Sequence, residues 1–469
     1  MRPDAPLLSS AVDELTDLFQ RAAAHAAAYR ASLAEAPVGV PPDLVALRSA
    51  LTGDGLADAS RSPGDVLDEL VAAATPGLVA TAGPRYFGFV VGSSLPAAAA
   101  VDMMTSAWDQ NAFNGVLSPA AVVAEEVAGG WLKELLGIPA TASVGFVTGA
   151  QEANTVALAA ARQHVLAGAG WDVARDGLQG APRVRVVVGG ERHATVDRAL
   201  RLLGLGTASV EPVAVDGNGA IDVADLERVL ASGPAGPTIV CLQAGNVNTG
   251  ACDDLRAACD LAHRHNAWVH VDGAFGLWAA ATPALRHLVD GVELADSWGC
   301  DGHKWLNVPY DCGFVFCSRP DVHGAAVSYT AAYLVGTTGV AAGTSDFTLE
   351  SSRRARGFTV WAALRQLGRD GVAELVERNC RLARRFAESL TAGGAEVAND
   401  VVLNQVLVGF GADDRTDRVI DRVQRDGTCW LGGTTWAGRR LMRISVSSWS
   451  TTEADVDRSV AAILQAAAD

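Results

Sequence analysis

Asp301-Gly302-His303-Lys304-Trp305 follows an apolar-polar run at 294–298. A strand that leads into a short loop puts the amine of Lys304 at the edge of a sheet. The residue type makes the position informative. The chain has 37 Lys and Arg residues, and only Lys133 and Lys304 are lysines. Arginine would carry the same charge with more hydrogen bonds, but it stays protonated and cannot form an imine. Imine formation with a carbonyl is the common role that arginine cannot fill. The other reading is a chance surface lysine, as we read Lys133 in its amphipathic helix.

Outward from this loop, short β-branched runs alternate with helical runs. The pattern predicts strands at 184–188, 238–242, 268–271 and 313–317, with helices between them such as 253–265. Such alternation predicts an α/β fold with a mostly parallel sheet covered on both faces. Ligands then bind at the carboxyl ends of the strands. Upstream, helices are expected at 95–108 and at 118–136, the second opened by Ser118-Pro119 as N-cap and first-turn proline. Residues 1–82 read as a helical arm, with helical runs at 8–35 and up to 74, too short and polar to fold alone and suited to wrapping a second subunit. Residues 83–350 read as the large domain, ending in a Gly/Thr/Ala-rich mobile loop at 325–350. Residues 351–469 read as a small α+β domain, with helices at 352–367, 371–390, 413–426 and 453–467 and strands at 405–410 and 441–445.

Composition narrows the function. A formal charge of −16 excludes a basic footprint for nucleic acid or an anionic membrane. Eight cysteines without a Cys-x-x-Cys pair suit reduced thiols in a cytoplasmic protein. Charged residues interrupt the start of the chain, so no signal peptide is expected there. No stretch approaches the ~18 apolar residues of a membrane helix. The nine histidines form no His-x-x-x-His and no Cys/His cluster, so no metal site is expected.

Three further signals join Lys304. Asp272 ends the run Trp268-Val269-His270-Val271, which places a carboxylate at a strand end, either as a turn residue or as an anion for a ring nitrogen; Gly273-Ala274 leave room for a flat ring. Thr148-Gly149-Ala150-Gln151-Glu152-Ala153-Asn154 opens a helix whose free N–H groups and dipole suit one phosphate, though it is neither a Walker loop nor GxGxxG. His193, after the strand at 184–188, is either structural or a ring that stacks on a planar cofactor. Together they match the needs of pyridoxal 5'-phosphate (PLP).

These residues also carry a resemblance. The chain resembles the PLP-dependent group II amino-acid decarboxylases, which include the glutamate, tyrosine and aromatic-L-amino-acid enzymes. The matching stretches are His270-Val271-Asp272-Gly273-Ala274-Phe275-Gly276, Ala295-Asp296-Ser297-Trp298 with His303-Lys304-Trp305, and Gly149-Ala150-Gln151-Glu152-Ala153. Tyr86-Phe87-Gly88-Phe89, Ser93-Ser94-Leu95-Pro96-Ala97 and Ser352-Arg353-Arg354 are also similar. The similarity spans roughly residues 60–390.

The resemblance implies an aspartate-aminotransferase-like fold (fold type I), a homodimer, and decarboxylation of an L-amino acid through an external aldimine and a quinonoid. By the same resemblance, Lys304 would hold the cofactor as an imine, Asp272 would pair with the pyridine nitrogen and His193 would stack on the ring. Gly149, Ala150, Gln151 and His303 would surround the phosphate, with Asp301 nearby. Ala274 would pack under the ring and Asn246 would lie near its 3'-oxygen. Arg353 would meet a substrate or cofactor anion. Gly92 and Ser93, with Leu95 and Trp305, would line the substrate pocket, whose small or apolar residues favour an apolar or aromatic amino acid. The family's loop tyrosine, which protonates the product, aligns here with Phe347 or with Ala342. Aldehyde-forming oxidative deamination, or another Cα-lyase reaction, is therefore an alternative outcome, with Tyr329 or Tyr333 as other proton sources. A catalytically silent relative with a binding role is the remaining alternative. Gly302 stands where alanine or proline is common, a difference expected to matter little.

Overall fold

The computed structural model describes residues 5–39, 43–329 and 344–468. The arm holds α1 (Ala5–Ser32), α2 (Leu44–Thr52) and α3 (Pro63–Ala74). Next come α4 (Pro96–Trp108) and α5 (Pro119–Leu136). Ser118 caps α5 by accepting from Ala121 N, and Gly137 closes it with φ 70°.

An alternating region follows: β1 (Ser143–Val147), α6 (Ala150–Gly168), α7 (Val173–Asp176), β2 (Arg185–Gly189), α8 (Ala194–Leu202), β3 (Val210–Val213), α9 (Val223–Ser232), β4 (Thr238–Gln243), α10 (Leu255–Arg264), β5 (Trp268–Asp272), β6 (Ser297–Asp301), β7 (Gly313–Cys317) and α11 (Pro320–Val327). The last part holds α12 (Arg356–Ala392), β8 (Glu396–Val397), β9 (Gln405–Gly409), α13 (Asp413–Asp426), β10 (Gly432–Trp436), β11 (Arg439–Ser445) and α14 (Glu453–Ala468).

The large sheet has seven strands in the order β1-β7-β6-β5-β4-β2-β3. β7 is antiparallel to both neighbours, and the other strands all run one way. β1, β5, β6 and β7 are buried along their whole length, which is why their sequences are almost continuously apolar. α6 packs on β5, β6 and β7, and its run of buried alanines allows close approach. The second sheet is antiparallel, β10-β11-β9-β8, and α13 and α14 join its apolar core. The expected α/β architecture of a fold type I PLP enzyme is the one observed.

Local differences have physical causes. The strand expected at 294–298 begins later, at Ser297, because Val292–Leu294 form a 3-10 turn and the Asp296 carboxylate accepts from Val269 N. The two helices expected at 352–367 and 371–390 are both present as the halves of α12, which starts later, at Arg356, and is broken at Gly368 (φ 63°, ψ −176°). Its first half packs on α4 and α5, and its second on the small sheet. Residues 330–343, most of the expected loop, lie outside the described residues, and Tyr333 and Ala342 lie there with them.

Candidate active site

The parallel strands deliver their carboxyl ends to one rim. β1 leads to Gly149, β2 to His193, β5 ends on Asp272 and β6 on Asp301. Gly313, the first residue of antiparallel β7, reaches the same rim: a Cβ there would come within 2.5 Å of Gly149 Cα.

Lys304 Nζ is 2.9 Å from Asp301 Oδ2. Asp301 Oδ1 accepts from Ala150 N at 2.6 Å, so one buried carboxylate bridges the lysine and the N-terminus of α6. His303 Nε2 is 3.6 Å from the same oxygen, and its Nδ1 accepts from Cys312 N. Burial, above all, lowers the His303 pKa. Gly149 keeps this turn uncrowded, because a Cβ would lie 3.0 Å from the His303 ring and 3.2 Å from Asp301 Oδ1, tighter than ordinary contact. Gln151 donates to Thr195 O at 3.2 Å, which ties the α6 turn to the His193 loop.

Asp272 is fixed on both oxygens. Oδ2 accepts from Asn154 Nδ2 at 3.0 Å and faces Thr195 Oγ1 at 3.5 Å; Oδ1 accepts from Ala274 N at 3.3 Å. Asn154 Oδ1 in turn accepts from His270 Nε2 at 3.1 Å. His270 Nδ1 therefore accepts from Ser297 Oγ, 3.1 Å away, while Trp268 Nε1 donates to that same oxygen. Burial pushes the His270 pKa down to about 4, which fits this neutral tautomer. A relay thus runs from Trp268 through His270 and Asn154 to Asp272. Gly299 makes room for it, because a Cβ would come within 2.6 Å of Asn154 Oδ1.

His193 is the N-cap of α8, and its Nδ1 accepts from Thr195 N at 3.3 Å. The proton is then on Nε2. Burial lowers the pKa, and Lys304 and Arg443 lower it further against Asp272 and Asp301. Arg443, on β11, is a cation at this rim from the small sheet. It donates to Val247 O at 3.3 Å, and burial lowers its pKa.

Some expected residues stand elsewhere. Arg353 was expected at a substrate or cofactor anion; its terminal nitrogens donate to Glu125 (2.9 and 3.2 Å), Ala112 O and Phe146 O, with both side chains buried. Burial raises the Glu125 pKa to about 7, against the pull of Arg353. Asn246 was expected at the 3'-oxygen, but its amide donates to Glu191 O and Gln243 Oε1 and accepts from Asn248 N and Thr249 N. It shapes the loop behind His193. Ser93 turns its hydroxyl onto Ala82 O, and Leu95 and Trp305 are in the core. Gly92 does reach the site, where a Cβ would strike the Lys304 carbonyl at 1.8 Å. Gly302 matters more than expected, since a Cβ would lie 2.9 Å from Phe314 and 3.0 Å from Cys312 Sγ. Phe347 stacks on His323 (ring centroids 4.9 Å apart), and His323 bonds Ser143 at the start of β1. That is the opposite end of the strand from the rim.

Sequence reading missed the roles of Asn154, Thr195, His270 and Arg443. Asn154 did leave a trace, as an amide in a run of buried alanines, where a polar group must find partners.

The rim fits PLP. An amine stands beside the Asp301 carboxylate, a second carboxylate, Asp272, is fixed at the end of β5, and a glycine cradle that a Cβ would fill lies at a helix N-terminus. Among the described residues no group of His, Cys, Asp and Glu is arranged to hold a metal. The family model described as the pyridoxal-dependent decarboxylase conserved domain matches residues 55–410. Tryptophan decarboxylase 1 of Oryza sativa subsp. japonica is 30% identical over 421 residues, covering 82% of this chain and 81% of that one. Aromatic-L-amino-acid decarboxylase of Sus scrofa is 28% identical, covering 82% of each. The crystal structure of Oryza sativa TDC with PLP and tryptamine superimposes with a TM-score of 0.90 at 25% identity, over 100% of this chain and 99% of that one. With that family match, that identity and this rim, the chain belongs to the PLP-dependent group II amino-acid decarboxylases, fold type I carboxy-lyases that act on amino acids.

Proposed function

We propose that this decarboxylase acts on an L-amino acid with an uncharged, apolar or aromatic side chain and releases the amine. The observation that carries the reading is the pairing of arginines around the rim. Arg192 is paired with Asp197 and Arg356 with Asp311. Arg443 is held by a carbonyl instead, so its charge is available for the substrate α-carboxylate. An acidic side chain would need a second such cation. Relatives named for tryptophan and aromatic-L-amino-acid decarboxylation support the same class.

The residues divide the work. Lys304 supplies the amine that captures the cofactor, and Asp301 keeps it oriented. Asp272, pinned by Asn154 and Ala274 N, holds a proton on the ring nitrogen. Neutral His193 offers a flat, uncharged face. Gly149, Ala150, Gln151 and His303 line the phosphate seat, and Ala274 and Gly92 leave space for the ring and the lysine backbone. PLP, when bound, supplies the electron sink for the pair left at Cα as carbon dioxide departs.

The amine product is supported over the aldehyde by the 30% identical relative named tryptophan decarboxylase 1 and by the similar structure solved with tryptamine. A relative named phenylacetaldehyde synthase, from Arabidopsis thaliana and 25% identical, keeps aldehyde formation as the second reading. Product analysis with aromatic and acidic amino acids tests the proposal. Amine and carbon dioxide from the aromatic set, without peroxide, are expected; turnover of acidic substrates alone, or aldehyde with peroxide, would overturn it.

The proposed assembly is a homodimer. Leu15, Phe19, Val45, Leu51, Val66 and Leu70 of the arm are exposed, a face suited to a second copy. The divisions 1–82, 83–350 and 351–469 are kept as proposed domains, supported by the two separate sheets. Eight free cysteines support a reducing, cytoplasmic setting. No helix among the described residues is long and apolar enough to cross a membrane, and the charge of −16 supports a chain that binds no nucleic acid.

A further inference from the structure

Asn307 stands three residues beyond Lys304, and its side chain is fully buried. Its φ of 57° lies in the left-handed region, which asparagine tolerates better than most side chains. The amide uses its whole hydrogen-bonding capacity. Its oxygen accepts from Ser93 N at 3.0 Å and from Trp449 N at 2.9 Å. Its nitrogen donates to Trp305 O and to Ser447 O, both at 2.9 Å. Two donors and two acceptors in one flat group belong to a carboxamide, whereas an ionised aspartate would lose both donors.

These bonds join three separate segments. Ser93 follows Gly92, which lies against the Lys304 carbonyl. Trp305 follows the lysine itself. Ser447 and Trp449 lie just past β11, the strand of the small sheet that carries Arg443. A second buried amide, Asn379 of α12, repeats the link. In the orientation that satisfies both of its ends, its oxygen accepts from Trp305 Nε1 at 2.9 Å and its nitrogen donates to Ser448 O at 3.2 Å. The Asn307 backbone adds a bond, its carbonyl accepting from Leu95 N at 2.8 Å. Buried amides with every position filled make such a junction rigid.

An amino acid carries its amine and its carboxylate on one carbon. The group that meets the amine and the cation that meets the carboxylate therefore need a fixed spacing, and a misplacement of ~1 Å can cost about a hundredfold. Lys304 follows β6 of the large sheet and Arg443 stands on β11 of the small one, so what joins the two sets that spacing. We propose that Asn307 is a positioning residue that sets Arg443 against Lys304 and so governs recognition of the substrate α-carboxylate. The inference rests on the reading of Arg443 as the cation that takes this carboxylate.

The test is titration calorimetry of the PLP-loaded protein with two probes, each holding half of the recognition. Indole-3-propanoate has the carboxylate and no amine, and tryptamine has the amine and no carboxylate. In Asn307→Gly, where glycine keeps the positive φ, the carboxylate probe should bind about tenfold more weakly or worse, and tryptamine within about twofold of wild type. A merely structural loss would weaken both probes alike. The visible absorbance of the loaded variant should match that of wild type, and Arg443→Gln should reproduce the split. If Asn307→Gly weakens both probes alike, or neither, while Arg443→Gln shows the split, the positioning role is overturned and the Arg443 reading stands. If Arg443→Gln leaves the carboxylate probe unchanged, or wild type binds no such carboxylate, the Arg443 reading falls and takes the inference with it. Should Asn307→Gly fail to fold, Asn307→Asp carries the same test, because it keeps the two accepted bonds and loses the two donated ones. Failure of both to fold would make the amide a folding element and overturn the role.

Discussion

The sheet rim and the N-terminal arm solve the burial problem in opposite ways. At the rim, Trp268, Ser297, His270, Asn154 and Asp272 are all buried and bonded in sequence. In the arm, no residue of α2 is buried and only Ala73 of α3 is, among the described residues, while Leu15, Phe19 and Val45 face outward. Among the described residues these rim groups find their partners within one chain, and they gain strength from low dielectric because each has a partner. The arm leaves apolar area that only another surface can cover. The relay from Trp268 to Asp272 is thus assembled from one chain, and the proposed assembly draws on the part that leaves apolar area exposed.

Deleting residues 1–60 breaks the comparison from the arm's side and should have the largest effect: insoluble or inactive protein. Size-exclusion chromatography with light scattering checks it, and a soluble, active monomer would refute the dimer. From the rim's side, Asp272→Asn removes the charge proposed to keep the ring nitrogen protonated. A loss of ~4 kcal/mol of transition-state stabilisation would slow turnover about a thousandfold. Steady-state kinetics decide this, and an unchanged kcat would remove Asp272 from its proposed role.

Asn154→Ala sharpens the comparison further. It strands His270 Nε2 and one oxygen of Asp272, at a cost of ~1–3 kcal/mol for unsatisfied buried groups. Cofactor affinity, read by visible absorbance, should fall by roughly tenfold to a hundredfold. Acid has the smallest effect per step, read as a change in stability for each pH unit. His270 has its folded pKa lowered to about 4, so its contribution is complete above the unfolded value near 6.5 and is lost as pH falls towards 4. Stability should drop by ~1.4 kcal/mol per pH unit across that window. Urea unfolding at a series of pH values should show a shallower slope in His270→Gln, which keeps the donor to Asn154 without the titration. Equal slopes would mean that His270 does not titrate as described.

The same contrast explains what could be read from the sequence. Alternating β-branched and helical runs gave away the large sheet because its central strands are buried on both faces. Lys304 stood out because a chain rich in arginine keeps an amine there. Short or exposed elements were harder. β3 and β10 went unread: one is a four-residue strand, and the other, Gly432–Trp436, carries two glycines and is only partly buried. The Glu125 partner of Arg353 was not legible because a sequence does not say which acid an arginine will meet; Glu125 lies 228 positions away. Asn246 and Ser93 show the same limit. Polar residues in motif loops can face the ligand or hold the loop's own backbone, and both spell the same motif. Arg443 was missed because it reaches the rim from a separate sheet, a contact that no local pattern encodes.

The central claim is that the amine at this rim is the one that captures PLP. Borohydride reduction of the PLP-loaded protein, followed by proteolysis and mass spectrometry, tests it most directly. We expect a single reduced adduct on the peptide carrying Lys304, absent from Lys304→Ala together with the visible absorbance of the loaded protein. An adduct on Lys133, or unchanged absorbance in Lys304→Ala, would contradict the account.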